Sequence, residues 1–153
     1  MDNTTWIVVA NARRARCFER HAADHSLTEL ADFISPHSKL ISAASGADLT
    51  GAAGKGHGRT GHAGTQFEPR TEVHAKERHS FARQLADHLN HCVAERQCKA
   101  LVLIASSAML GALKPCLNHA AEQALRRCVT ADLTRYQNAE LKKRVNLALQ
   151  LPA

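Results

Sequence analysis

An α/β fold, with a mixed sheet of about five strands covered by helices, is predicted by three observations. Trp6-Ile7-Val8-Val9-Ala10 and Leu101-Val102-Leu103-Ile104-Ala105 are unbroken runs of apolar β-formers, the pattern of strands covered on both faces. Between them runs a long amphipathic stripe at helical spacing, and a strand arriving straight after such a helix implies a crossover into a parallel position. The length of 153 residues is the usual size of one domain, so residues 1–153 are expected to form a single α/β domain.

Residues 6–10 make the first central strand, and Asn11-Ala12-Arg13-Arg14 is a polar break after it. Residues 15–20 and 27–34 are the next strands, separated by the polar stretch 21–26, so an antiparallel meander of three strands is the simplest arrangement. From about 73 to 96 the apolar positions Phe81, Ala82, Leu85, Ala86, Leu89, Cys92 and Val93 recur at three and four residues, the mark of a helix with one buried stripe. After the strand at 101–105, Ser106-Ser107 offers an N-cap for a helix carrying Met109, Leu110 and Leu113, which Pro115 limits. Residues 120–126 have helix-forming composition, and 128–133 read as a last strand with Val129, Ala131 and Leu133 on one face. A closing helix from about Asn138 carries Leu141, Val145 and Leu149. The predicted order is β-β-β-α-β-α-β-α.

Composition restricts the setting more than the activity. With only four Phe, one Trp and one Tyr, the core must be built from Leu, Val, Ile and Ala. Five cysteines, at 17, 92, 98, 116 and 128, form no C-x-x-C pair, and an odd number cannot all pair within one chain. They read as reduced, mostly buried thiols. The apolar run at 6–10 is too short for a signal peptide or a membrane span, so a cytoplasmic protein without membrane insertion is expected. The formal charge of +6 favours polyanionic partners without specifying one.

Seven of the eight glycines lie between Gly46 and Gly64. A loop of this length, from roughly 35 to 71, is uncommon inside a compact domain unless it is functional or disordered. Its stretch 51–66 carries Lys55, His57, Arg59 and His62 and no acid. A tolerated insertion is the bland reading. The functional reading is a basic finger whose backbone N–H groups and cations meet phosphates.

Several chemistries lack their motif. Gly51-Ala52-Ala53-Gly54-Lys55-Gly56 has neither the spacing nor the hydroxyl of a P-loop. His57, His62, His74 and His79 have no Cys or acidic partner at the recurrent spacings of zinc sites, so no metal is expected, and no cofactor fingerprint is present. No G-x-S-x-G elbow or flanked nucleophilic cysteine occurs.

Taken in order, separated segments resemble the bacterial host-attachment protein family. They are Thr5-Trp6-Ile7-Val8-Val9-Ala10-Asn11 with Arg14-Ala15-Arg16-Cys17-Phe18-Glu19, and Phe67-Glu68-Pro69 ahead of Phe81-Ala82-Arg83-Gln84-Leu85-Ala86. Leu101-Val102-Leu103-Ile104-Ala105, Leu110-Gly111, Asp132-Leu133-Thr134 and Ala139-Glu140-Leu141 complete the set. That family is in turn similar to the middle, catalytic domain of archaeal and eukaryotic class 1 release factors. His57-Gly58-Arg59, Gly64-Thr65-Gln66 and Lys76-Glu77-Arg78-His79-Ser80-Phe81 resemble the segment around those factors' Gly-Gly-Gln tripeptide. This likeness implies Gln66 as a water-positioning residue and Gly64 as a hinge, with peptidyl-tRNA ester hydrolysis as the reaction if the protein is an enzyme. Thr65 replaces the second glycine, and a β-branched residue is restricted where positive φ is needed.

The leading expectation is therefore a non-catalytic domain associated with RNA or the ribosome, rRNA and tRNA being the partners that the likeness implies. Lys55, His57, Arg59, His62, Arg70, Lys76 and Arg78 would contact phosphates. For Lys76 and Arg78 the competing reading is a solvated helix face with an i,i+4 pair between Glu72 and Lys76. The alternatives are a protein-interaction module acting indirectly in host or surface attachment, and a release-type hydrolase working through Gln66. Oligomeric state is left open by the sequence.

Overall fold

A computed structural model describes the backbone of residues 5–36 and 63–150, and the side chains of 5–36 and 72–150. Among these residues it is an α/β structure with an open, mixed five-stranded sheet and four α-helices. The strands are β1 (Thr5–Ala10), β2 (Arg14–Arg20), β3 (Leu27–Ile34), β4 (Ala100–Ala105) and β5 (Leu125–Thr130). Helix α1 (Ala63–Ala94) precedes β4. Helices α2 (Ser107–Leu113) and α3 (His119–Ala124) lie between β4 and β5, joined by a 3-10 turn (Lys114–Cys116) that holds Pro115. Helix α4 (Asn138–Gln150) comes after β5.

Spatial order is β3-β2-β1-β4-β5. β1 pairs antiparallel with β2 and parallel with β4, β2 pairs antiparallel with β3, and β4 pairs parallel with β5. The meander and the crossover expected from the sequence are both present. Ile7, Val8, Val9 and Ala10 have no exposure, because alternate side chains enter opposite cores. Trp6, Val8 and Ala10 meet Phe81, Leu85 and Leu89 of α1 and Met109 and Leu113 of α2. Ile7 and Val9, with Val102 and Ile104 of β4, meet Leu141, Val145 and Ala148 of α4. Helices thus cover both faces of the sheet.

Local chemistry fixes the ends. Asn11 Oδ1 accepts from the N–H groups of Arg13 (2.8 Å) and Arg14 (2.9 Å), an Asx turn that folds β1 back into β2. Ser106 caps α2, its side chain accepting from Met109 N–H at 3.4 Å. At the end of α1 the N–H of Gln97 donates to Cys92 O (2.9 Å) and that of Arg96 to Val93 O (3.0 Å). With Arg96 at φ 63°, this is a Schellman cap closed by a residue that carries a Cβ.

Three predicted boundaries are corrected. Helix α1 starts at Ala63, about ten residues before the predicted start. Its described side chains from 72 to 80 include none that is buried, so no apolar stripe announces this part. The predicted loop at 35–71 therefore loses its last nine residues to helix. The helix predicted at 120–126 ends at Ala124, and β5 spans Leu125–Thr130 instead of 128–133. Leu125 stands opposite Leu101 and packs into the α1 core. At the far end Asp132 Oδ1 accepts from the N–H (3.1 Å) and hydroxyl (2.7 Å) of Thr134, a local turn that competes with the ladder. Val129, Ala131 and Leu133 nonetheless share one core, the α4 side.

The left-handed conformation costs a residue with a Cβ roughly 1–2 kcal/mol, part of which glycine returns through its larger unfolded-state entropy. Arg96→Gly is therefore expected to stabilise the fold by about 1 kcal/mol, read as a higher urea midpoint at unchanged slope. A lower midpoint would show that the Arg96 side chain contributes more than its backbone strain costs.

Candidate functional site

The carboxyl edge of the parallel strands is where open α/β sheets place ligands, and β3 also ends at this edge. Ser35, just past β3, is buried at 2% exposure, and its N–H donates to Arg13 O at 2.8 Å. Helix α1 ends below the start of β4, at the opposite edge. Its 32 residues span about 48 Å, whereas a six-residue strand spans roughly 20 Å. Its first buried side chain among the described residues is Phe81, so the part that precedes Phe81 extends past the carboxyl edge.

The predicted phosphate contacts fall unevenly on this frame. Lys55, His57, Arg59 and His62 lie outside the described residues. Gly64, Thr65, Gln66 and Arg70 fall within the first turns of α1, in regular helix instead of loop, with Gln66 and Arg70 side chains outside the described set. Lys76 is exposed and Arg78 half-buried on the extended stretch of α1. Glu72 and Glu77 balance them there, and His74 Nδ1 stands 3.6 Å from Glu77 Oε1. The described part of this surface is of mixed charge. Among the described residues no group of three or more His, Cys, Asp or Glu is placed to hold a metal ion.

A polar network missed by sequence reasoning occupies the edge itself. Asn11 Nδ2 donates to Asp132 Oδ2 and to Thr134 Oγ, both at 3.0 Å, and the Thr134 hydroxyl donates to Asp132 Oδ1 at 2.7 Å. Burial pushes the Asp132 carboxyl upward, but the hydrogen bonds from Asn11 and Thr134 outweigh it and hold it below the usual carboxylate range. Beside it Arg16, 5% exposed, grips Glu29 through Nε (3.1 Å) and Nη2 (3.3 Å). Its Nη1 donates to the carbonyls of Thr134 (3.2 Å) and Tyr136 (2.7 Å). Arg14 and Asp32 form a second fork at 3.0 and 2.7 Å, which holds Asp32 below its ordinary value.

This network acts as a clamp. Thr134 is 6% exposed, and its hydroxyl donates to Asp132 and accepts from Asn11, so it is not free to act as a nucleophile. Between the β2–β3 hairpin and α4 a cleft of about 310 Å³ is lined by Arg16, Phe18, Leu27, Glu29, Leu141 and Lys142, among others. Three of the thiols are poor nucleophiles. Burial pushes Cys17 and Cys98 up to about 12 and raises Cys92. All five cysteines are free and pack in or against the α1 core. The signal for the network was present in Asn11, Arg16 and Asp132-Leu133-Thr134, which carry the family resemblance, but spacing alone could not assemble residues separated by 121 and 123 positions.

A family model described as protein required for attachment to host cells matches residues 6–145 of the chain. No curated protein matches it.

The clamp and the buried titratable groups each make a prediction. Arg16→Met leaves Glu29 and two backbone carbonyls without their donor, and should lower the unfolding free energy by about 1–3 kcal/mol; an unchanged urea midpoint would remove the clamp. Stability should also fall in two stages as the solution is acidified. His88 is held below its ordinary value by burial and then by neighbouring His91, so the unfolded chain takes up its proton first and stability drops once the pH falls below about 6.5. Asp32 and Asp132, both depressed, add stability above about pH 3.9 that is lost as the pH falls through their lower folded values. His88→Gln should abolish the first stage and Asp32→Asn weaken the second, as read from urea midpoints against pH.

Proposed function

The chain belongs to the family of proteins required for attachment to host cells, and from that membership and the charge pattern we propose a non-catalytic domain that associates with RNA or the ribosome. The observation that carries this reading is the stretch 51–66, which holds Lys55 and Arg59 and no acid and leads into the part of α1 that precedes its buried stripe. Lys55, His57, Arg59 and His62 would meet phosphates first, with Arg70, Lys76 and Arg78 continuing the contact along the helix. The likeness of this region to the release-factor middle domain supports a ribosomal or tRNA partner. Gly64, Thr65 and Gln66 stand in regular helix, where the conformational freedom that a Gly-Gly-Gln loop requires is lost, and this favours binding over hydrolysis. An influence on attachment would then be indirect, exerted from the cytoplasm through RNA.

Co-sedimentation with ribosomes tests the reading with the intact protein, a deletion of 51–66 and the Lys55→Ala/Arg59→Ala variant. Association should fall steeply between about 50 and 200 mM salt and should be lost with the deletion. On single-stranded RNA the double variant should reduce the slope of log affinity against log salt by about 1.4, two contacts at roughly 0.7 each. Association indifferent to salt and to both changes would overturn it.

A further inference from the structure

Helix α4 carries cations that the clamp at the carboxyl edge does not use. Lys142 lines the cleft beside the β2–β3 hairpin, and Asn146 accepts from Arg20 Nη2 of β2 at 2.9 Å, so this side of the helix faces β2. Arg144, midway between them in sequence, points to the opposite flank, over β5. There its Cζ lies 4.0 Å from the centroid of the Tyr136 ring. Arg135 Cζ lies 5.0 Å from the same centroid, and Arg135 Nη2 donates to Tyr136 Oη at 2.9 Å. Arg135 and Lys143 are exposed.

Arg127 of β5 lies two residues before Val129, on the face that packs under α4. Its Nε, like that of Arg20 on the β2 side, is buried without a hydrogen-bond partner among the described residues, and neither atom is open to an external acceptor. Two acids are near this surface: Asp132 acts on Arg135 through its charge, and Glu140 is bonded to Arg144 Nε at 2.6 Å, which leaves both Arg144 Nη groups without a partner among the described residues. β5 is the edge strand of the sheet on this side.

We propose that this flank of α4 is a second RNA contact, where bases of single-stranded RNA stack on the guanidinium planes of Arg135 and Arg144 around Tyr136. The proposal rests on the RNA reading above and extends it to a site that reads bases as well as charge. Planar guanidinium and aromatic faces suit unstacked bases. An acidic protein would need only the charge.

Fluorescence anisotropy with a labelled oligouridylate, an abasic oligomer of equal length and polyglutamate separates these contributions. Arg135→Lys/Arg144→Lys keeps the charge and removes the stacking planes. It should weaken oligouridylate binding by about tenfold, as expected for loss of one or two stacked bases, while abasic binding stays within about twofold. In the protein lacking 51–66, residual oligouridylate binding should persist and should be lost on adding Arg135→Lys/Arg144→Lys. Oligouridylate affinity untouched by the lysine pair would overturn this inference while leaving the loop reading in place, and polyglutamate binding as tight as oligouridylate would replace RNA with an acidic protein. Oligouridylate binding that vanishes with the 51–66 deletion alone would confine the RNA contact to the loop and overturn the flank. No binding of any RNA by the intact protein would overturn both.

Discussion

The pairing of β1 constrains everything around it. Its backbone is bonded antiparallel to β2 on one side and parallel to β4 on the other, and the side chains from Ile7 to Ala10 have no exposure. A parallel neighbour can be reached only by a crossover, which demands a helix over one face. The other face must then be covered by the chain beyond β5. Helices α1 and α4 meet these two requirements, and the apolar residues Phe81, Leu85 and Leu89 on one and Leu141, Val145 and Ala148 on the other are where the covering contacts fall.

The same topology collects polar chemistry at one edge. The turns that leave β1 and β2 on that side, and the connection from β5 to α4, end within reach of one another. Asn11, Asp132, Thr134 and Arg16 use their donors and acceptors to hold them together. A network bonded within itself in this way contributes order to the edge. A ligand must therefore be sought where cations are left over, along the glycine-rich segment and on the outer flank of α4.

The central strands were legible from sequence because their residues had to be buried: β1 and β4 came out within one residue, since continuous apolar runs allow no other placement in a doubly covered sheet. β3, which buries no residue, came out at its observed limits from the polar stretch that precedes it. Helix α1 was legible from Phe81 onward for the same reason as β1 and β4, and invisible before it: 72–80 buries nothing, and Gly64 and Pro69 argue locally against helix. β5 was displaced by three residues because Val129, Ala131 and Leu133 share one core, which resembles strand alternation although Asp132 ends the ladder first. Of the edge site, only the separate residues were legible. Their convergence depends on strand order, which no local pattern encodes, and Arg16 in particular reads as an ordinary exposed strand residue until Thr134 and Tyr136 are brought against it.

The net positive charge is thus not spread evenly in its consequences. Arg14 and Arg16 are held by Asp32 and Glu29 and act as structural ties, so they add little field outside the molecule. Arg135 and the free end of Arg144 are not held in such a fork among the described residues, and both lie against one aromatic ring. A protein gains solubility from scattered surface charge, and scattered charge needs no shared ring. Concentration of guanidinium groups around Tyr136 is better accounted for by a partner that offers both phosphate and planar faces, because only such a partner uses the geometry as well as the charge.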